Sequence, residues 1–355
     1  MNRRRTASAL LAAALVVSLP ARSAPPTDGG AAANQEVAAR LDPAQRRVVV
    51  ETLAAALEEH YVFPQVGVLY ATRLREQLRH GAYDDLTDLV AFSDRLTADL
   101  QAVSADKHLR VSPSSRVEKR GPDTADAPNS TKASGPVGLE DARMIGDVAY
   151  LRFNEFPGGA SASNARSFLL AHADARAVVI DSRPNRGGRL DEMNAILPLL
   201  FSRPATLYRM EMRSGVDSPF QTPMVNAVAG SASLQRWDHT IVPDHGERRL
   251  QAVPVYYLVS RRTASAAEAL ALGFKDTHRA TLVGETTAGA GYFGGVFEVG
   301  NDGLRAWISI GRTYDPKSGW DWEGRGVRPD VVAPADEALT VALDLARRAG
   351  AHPGA

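Results

Sequence analysis

The sequence predicts an α/β protein: a small N-terminal helical domain followed by a larger core with a mixed sheet. Two patterns predict this. Residues 41–111 carry apolar side chains at helical spacing. Beyond residue 140, short apolar runs bounded by turns alternate with amphipathic stretches, the order that gives parallel strand pairs joined through helices.

In the first region Val48, Val49, Leu53, Ala56 and Leu57 recur at helical spacing. Pro64 disfavours helix at Phe63, so that helix ends around Tyr61-Val62-Phe63. Residues 66–79 and 89–103 read as two further amphipathic helices. Residues 112–136 are Ser, Pro, Gly, Asp and Lys with almost no apolar side chain, and the loop they predict extends to 139.

The core domain is expected over 140–350. Strands are predicted at 148–153, 177–181, 253–259, 280–283 and 306–310, and helices at 160–172, 190–200, 265–275 and 335–349. In open α/β sheets ligands bind beyond the carboxyl ends of the strands. That rule points to the loops after Ile180, Val259 and Val283.

Composition narrows the function. Among 355 residues, 41 Lys and Arg balance 41 Asp and Glu, so no bulk charge favours nucleic acid or an anionic membrane. There is no cysteine, which removes thiol catalysis, disulfides, zinc-thiolate sites and a lipid-modified cysteine anchor. At the N-terminus, Arg3, Arg4 and Arg5 precede an apolar run from Ala9 to Leu19, then Ala21-Arg22-Ser23. Residues 1–23 therefore read as a signal peptide and 24–40 as a Pro/Gly/Ala-rich spacer, which implies a periplasmic or secreted protein. The apolar run is too short to span a bilayer comfortably, so no stable membrane anchor is expected.

Each of the three loops has a plain structural reading beside a chemical one. In Asp181-Ser182-Arg183-Pro184-Asn185-Arg186-Gly187-Gly188, the glycine pair permits close backbone approach to an oxyanion, or forms an ordinary strand-to-helix turn. Ser265-Ala266-Ala267-Glu268 opens a helix, which puts a serine beside exposed N–H groups, with that of Ala266 as a candidate oxyanion donor. The same four residues are also a capping box. The glycine-rich turn 283–291 lacks the Lys-Ser or Lys-Thr ending of a phosphate loop.

Taken in order, these segments resemble the tail-specific (carboxyl-terminal-processing) peptidase family. The resemblance rests on Asp181/Arg183/Asn185/Gly187/Gly188, then Ser265-Ala266-Ala267-Glu268, then Val283-Gly284-Glu285-Thr286-Thr287. His60-Tyr61-Val62-Phe63-Pro64, 104–109 and 322–330 are similar to its interphotoreceptor-retinoid-binding-protein-like branch. The resemblance implies a crotonase-like (ClpP-like) core and a serine peptidase needing no cofactor and no metal. Ser265 would be the nucleophile, with Ala266 and Gly188 (or Gly187) as oxyanion donors. No stretch is long enough to insert a PDZ domain, so short or unfolded peptides are the implied substrates.

The chain departs from the family at one functional position. Where bacterial processing peptidases carry a lysine base after V-G-E-x-T, this sequence has Ala290. Two readings stay open. In one, His108 is the general base and Glu323 orients it, as the resemblance to the tricorn protease implies. In the other, the protein is a non-catalytic binder of an apolar ligand or peptide. On the plain reading His108 is a packing histidine, and Glu323 a turn carboxylate held by Arg325 or Arg328.

Overall fold

The computed structural model describes residues 40–104, 106–114, 137–216, 224–300 and 303–350. The signal peptide, the spacer up to residue 39 and loop residues 115–136 lie outside the described residues.

Helix α1 (Pro43–His60) starts where a capping box forms. Asp42 Oδ1 accepts from Gln45 N–H at 2.8 Å, and Gln45 Oε1 accepts from Asp42 N–H at 2.7 Å, with Pro43 in the first turn. Pro64, which stops α1, opens α2 (Pro64–Arg79), because its missing N–H is unused in a first turn. Asp88 caps α3 (Leu89–Gln101) by accepting from Ala91 N–H at 2.8 Å. The chain then forms β1 (Arg110–Pro113), so Ser112 and Pro113 are strand rather than loop.

The helical segment does not close its core alone. Val50, Leu53, Leu57 and Leu96 pack with Val299, Leu304, Ala306 and Ile308 from far along the chain. Strand β1 pairs antiparallel with β11 (Leu304–Tyr314).

One sheet runs β12 (Val331–Val332), β9 (Thr281–Gly284), β8 (Val255–Val259), β4 (Ala177–Asp181), β3 (Val148–Phe153) and β2 (Leu139–Ile145). All pairs are parallel except β2 on β3. Every residue of β4 and β8 is buried, which explains their continuous apolar runs. Helices α4 (Ala160–Ala171), α5 (Asp191–Leu200), α6 (Ala266–Thr277) and α7 (Ala338–Gly350) complete the alternation that the sequence predicts, with ends shifted by a few residues.

A second, antiparallel sheet was not foreseen. It runs β1, β11, β5 (Ala205–Arg213), β7 (Leu234–Ile241) and β6 (Val225–Val228), with β10 (Tyr292–Glu298) also on β11. Of its strands only 306–310, within β11, was expected; β5 and β7 escaped detection because charges interrupt their apolar pattern. Those charges answer one another across the ladder: Arg209 faces Asp238 and Glu211 faces Arg236, with contacts of 2.6 and 2.9 Å. The architecture is the mixed α/β fold with N-terminal helices that the sequence predicts.

Candidate active site

Strand β8 ends at Val259, and the turn after it delivers Ser265 to the N-terminus of α6. Ser265 has φ 53° and ψ −123°, a region that non-glycine residues seldom occupy. Such strain persists only where the surroundings over-determine it, and here they do. Thr263 Oγ1 accepts from Ser260 N–H at 2.9 Å and donates to the Ser182 carbonyl at 2.7 Å. Ser260 Oγ donates to the Arg183 carbonyl at 2.6 Å. The N–H of Ala264 reaches the Asn185 carbonyl at 3.0 Å, and that of Ala288 reaches the Thr263 carbonyl at 2.9 Å.

Glu268 binds this turn to the third loop. Its fully buried carboxylate accepts from the N–H groups of Ser265 (2.9 Å), Gly289 (2.7 Å) and Ala290 (2.8 Å), and from Thr287 Oγ1 (2.5 Å). Burial raises its carboxyl above the usual range, against the pull of these four donors. The capping-box reading captured only the bond to Ser265.

The glycine loop lies against the same turn. Asp181 and Arg183 are scaffolding: Arg183 Nε donates to Asp181 Oδ1 at 2.8 Å, and Tyr150 OH donates to Oδ2 at 2.7 Å. Gly187 and Gly188 have φ of 96° and 121°. A Cβ on Gly187 would come within 2.8 Å of the Ala264 carbonyl oxygen and of Ala266 N, and one on Gly188 would overlap the Phe156 carbonyl oxygen. Only glycine allows this approach. The Gly187 N–H is occupied, donating to Asn185 Oδ1 at 2.8 Å. Among the described residues, no hydrogen bond engages the N–H of Gly188 or Ala266. Of the two glycines, Gly188 is therefore the one with a donor to offer.

Ser265, Gly188, Ala266 and Ala290 line one cavity of about 70 Å³, with Tyr208 and Trp322 among its apolar walls. Ala290, where the resemblance implies a lysine, supplies only a methyl group. Its N–H is bound by Glu268.

His108 and Glu323 take a different arrangement from the one expected. Glu323 Oε1 accepts from Lys107 N–H at 2.7 Å, and Oε2 accepts from the N–H groups of Gly291 (2.6 Å) and Tyr292 (3.0 Å). Neither oxygen is bonded to the His108 ring, and neither Arg325 nor Arg328 holds the carboxylate. Burial, with the nearby Asp106 charge, pushes the Glu323 carboxyl up to about 7 despite the Lys107 N–H. The His108 ring is buried, with centroids 6.3 Å from Trp307, and its Nδ1 has no hydrogen-bond partner among the described residues. Burial pushes its pKa down to about 4, opposed by the Asp106 carboxylate and assisted by Arg110. Asp106, which sequence reasoning passed over, fixes the backbone here by accepting from His108 N–H at 2.9 Å and Leu109 N–H at 3.0 Å. No hydrogen bond joins His108 to Ser265. Glu323 nonetheless links the two regions, since Gly291 and Tyr292 also line the Ser265 cavity.

A strained serine at a strand-to-helix turn, with free N–H donors beside it, is the working arrangement of acyl-transfer hydrolases as a class. Within that class, the chain belongs to peptidase family S41, whose description matches residues 147–333. Residues 38–148 match the N-terminal domain of this peptidase in eukaryotic IRBP. A carboxyl-terminal-processing protease of Synechocystis sp. is 29% identical over 220 residues, covering 58% of this chain and 45% of that protein. The chloroplastic carboxyl-terminal-processing peptidase 2 of Arabidopsis thaliana is 29% identical over 188 residues, covering 53% and 32%. The chain thus spans less than half the length of these relatives. Solved structures support the fold. A Streptococcus agalactiae lipoprotein has a TM-score of 0.53 at 15% identity, covering 87% of this chain and 98% of that one. The photosystem II D1 C-terminal processing protease has a TM-score of 0.51 at 18% identity, covering 83% and 94%. Among the described residues, no helix is long and apolar enough to cross a membrane.

Proposed function

We propose that the chain is an exported serine peptidase that cleaves peptides or unfolded protein tails through Ser265. The observation that carries this reading is the strained Ser265 at the start of α6, beside the unengaged N–H groups of Gly188 and Ala266. Ser265 Oγ attacks the scissile carbonyl carbon as its proton passes to His108. The N–H groups of Gly188 and Ala266 hold the oxyanion. Collapse breaks the C–N bond, His108 returns the proton to the leaving amine, and water then releases the acyl group by the same steps. Burial keeps the pKa of His108 near 4, so the ring is in the neutral form a base requires throughout the neutral range, and the same burial makes it a weak base. Glu323 acts by fixing the backbone before His108, and not by touching its ring.

The non-catalytic reading gains little from this site. Pockets for small apolar ligands enclose about 300–1,000 Å³, and the cavity at Ser265 encloses about 70 Å³. Hydrolysis of an unstructured peptide by the parent and its loss in Ser265→Ala test the peptidase reading. Equal turnover in both would end it. Export rests on the basic n-region, apolar run and Ala21-Arg22-Ser23. N-terminal sequencing of the protein from an exporting host should then start near Ala24, and a mature protein retaining Met1 contradicts it.

A further inference from the structure

Two turns meet at the carboxyl edge of the parallel sheet, one after β4 and one after β8, and their backbones are laced together. Ser260 Oγ donates to the Arg183 carbonyl at 2.6 Å and accepts from the Arg262 N–H at 3.0 Å. The Ala264 N–H reaches the Asn185 carbonyl at 3.0 Å. The lacing sets Arg186 of one turn near Arg262 of the other. Burial, and then the positive charge of Arg262, lower the pKa of Arg186 below its usual value. The other arginines of these turns each have a carboxylate. Arg183 has Asp181 at 2.6 Å, Arg189 has Asp191 at 2.9 Å and Arg261 has Glu285 at 3.7 Å. Among the described residues, no hydrogen bond or ion pair engages the guanidinium of Arg186 or Arg262. Arg186 is half-buried and Arg262 exposed. Two like charges set near each other, one of them partly desolvated, cost stability unless an anion joins them.

We propose that Arg186 and Arg262 form a clamp for an acidic side chain of the substrate, Asp or Glu, outside the Ser265 cavity. The assignment rests on the Ser265 peptidase reading. Position supports it: Arg186 directly precedes the Gly187-Gly188 pair, and Arg262 lies three residues before Ser265. Three residues of chain span at most about 11 Å, and an extended substrate advances about 3.3 Å per residue. A substrate side chain within about four residues of the cleaved bond therefore comes within reach of the clamp. Neither arginine lines the cavity at Ser265, so the clamp is separate from the space beside the nucleophile. Chemistry supports it too. Planar guanidinium groups take a carboxylate through paired N–H donors. A lysine of the substrate would meet two like charges there.

The test uses the full chain and unstructured peptides, acetylated and amidated at their ends so that no terminal carboxylate is present. A single Glu is walked through about four positions on either side of the cleaved bond and compared with Gln at each. In the parent, Glu should raise kcat/KM about tenfold over Gln at one position, mainly through KM. The ratio should fall toward one in about 1 M NaCl, where the Debye length is about 3 Å. Arg186→Gln and Arg262→Gln should each bring the ratio toward one. Arg262→Glu should abolish the preference, because the introduced carboxylate takes Arg186. Arg262 is exposed, so that variant decides the matter if Arg186→Gln does not fold. Ser265→Ala serves as the blank. A parent that cleaves the set without preferring Glu at any position, or whose preference survives in Arg262→Glu, overturns the clamp alone. So does a parent whose selection appears only when the peptide has a free C-terminal carboxylate. A parent that cleaves no better than Ser265→Ala overturns the peptidase reading and the clamp with it.

Discussion

Glu323 accepts the backbone N–H of Lys107 at 2.7 Å and leaves the adjacent His108 ring untouched. The carboxylate holds the backbone one residue before the histidine, while its other oxygen holds Gly291 and Tyr292 at the cavity. In Glu323→Gln the amide NH₂ must face an N–H donor on one side or the other. The loss should be about 1–3 kcal/mol of stability, with a fall in kcat larger than any rise in KM. Thermal unfolding and steady-state kinetics on one peptide check both.

The pH profile separates His108 from Glu323. The carboxylate form of Glu323, with its pKa near 7, is the better acceptor of three N–H groups, so kcat/KM should decline as pH falls through about 7. The loss of neutral His108 should add a second, steeper decline near 4. Glu323→Gln should abolish the upper step and keep the lower one. His108→Ala should match Ser265→Ala in the size of its loss, because the two act as a unit and such losses do not add. Near-parent turnover in His108→Ala would remove the histidine from the mechanism.

Glu268→Gln tests the carboxylate under Ser265. Each oxygen accepts two donors: Ser265 and Ala290 on one, Gly289 and Thr287 on the other. An amide NH₂ on either side sets donor against donor, so a loss of about 1–3 kcal/mol is expected. Peptidase activity should fall at least tenfold at a temperature where circular dichroism still reports a folded protein.

Acid stability should follow two histidines against one glutamate. His108 and His239 have folded pKa values near 4, depressed by burial from 6.5, so their contributions are present above 6.5 and lost as pH falls toward 4. Glu323 has the opposite sign: raised from 4.5 to about 7, its contribution is present below 4.5 and lost as pH rises toward 7. The parent should therefore lose stability on acidification from about 6.5. His239→Gln keeps a partner for Tyr208 and Asn194 and removes a titrating group worth on the order of 3 kcal/mol. Urea unfolding at pH 7 and pH 5 should show a smaller difference in the variant.

The parts of the fold legible in the sequence are those governed by simple burial. Strands β4 and β8 are buried throughout and read as apolar runs, and Pro64 marks both the end of α1 and the start of α2. Of the second sheet only 306–310 of β11 was legible; β5 and β7 were not, because Arg209, Glu211, Arg236 and Asp238 make pairs that no local window displays. At the site, Ser265 and the glycine pair stood out because a helix start and a close approach leave local signatures. The role of Glu268 toward Gly289 and Ala290 did not, since it joins residues about twenty positions apart. The choice between Gly187 and Gly188 needed the Asn185 side chain in place.

The central claim is that Ser265 is an activated nucleophile even though Ala290 stands where a lysine base would be. Reaction of the folded protein with a fluorophosphonate, followed by peptide mapping, measures this directly. The account predicts one adduct, on Ser265, that disappears in Ser265→Ala and is strongly reduced in His108→Ala. An unlabelled parent, with labelling gained only in Ala290→Lys, would contradict it.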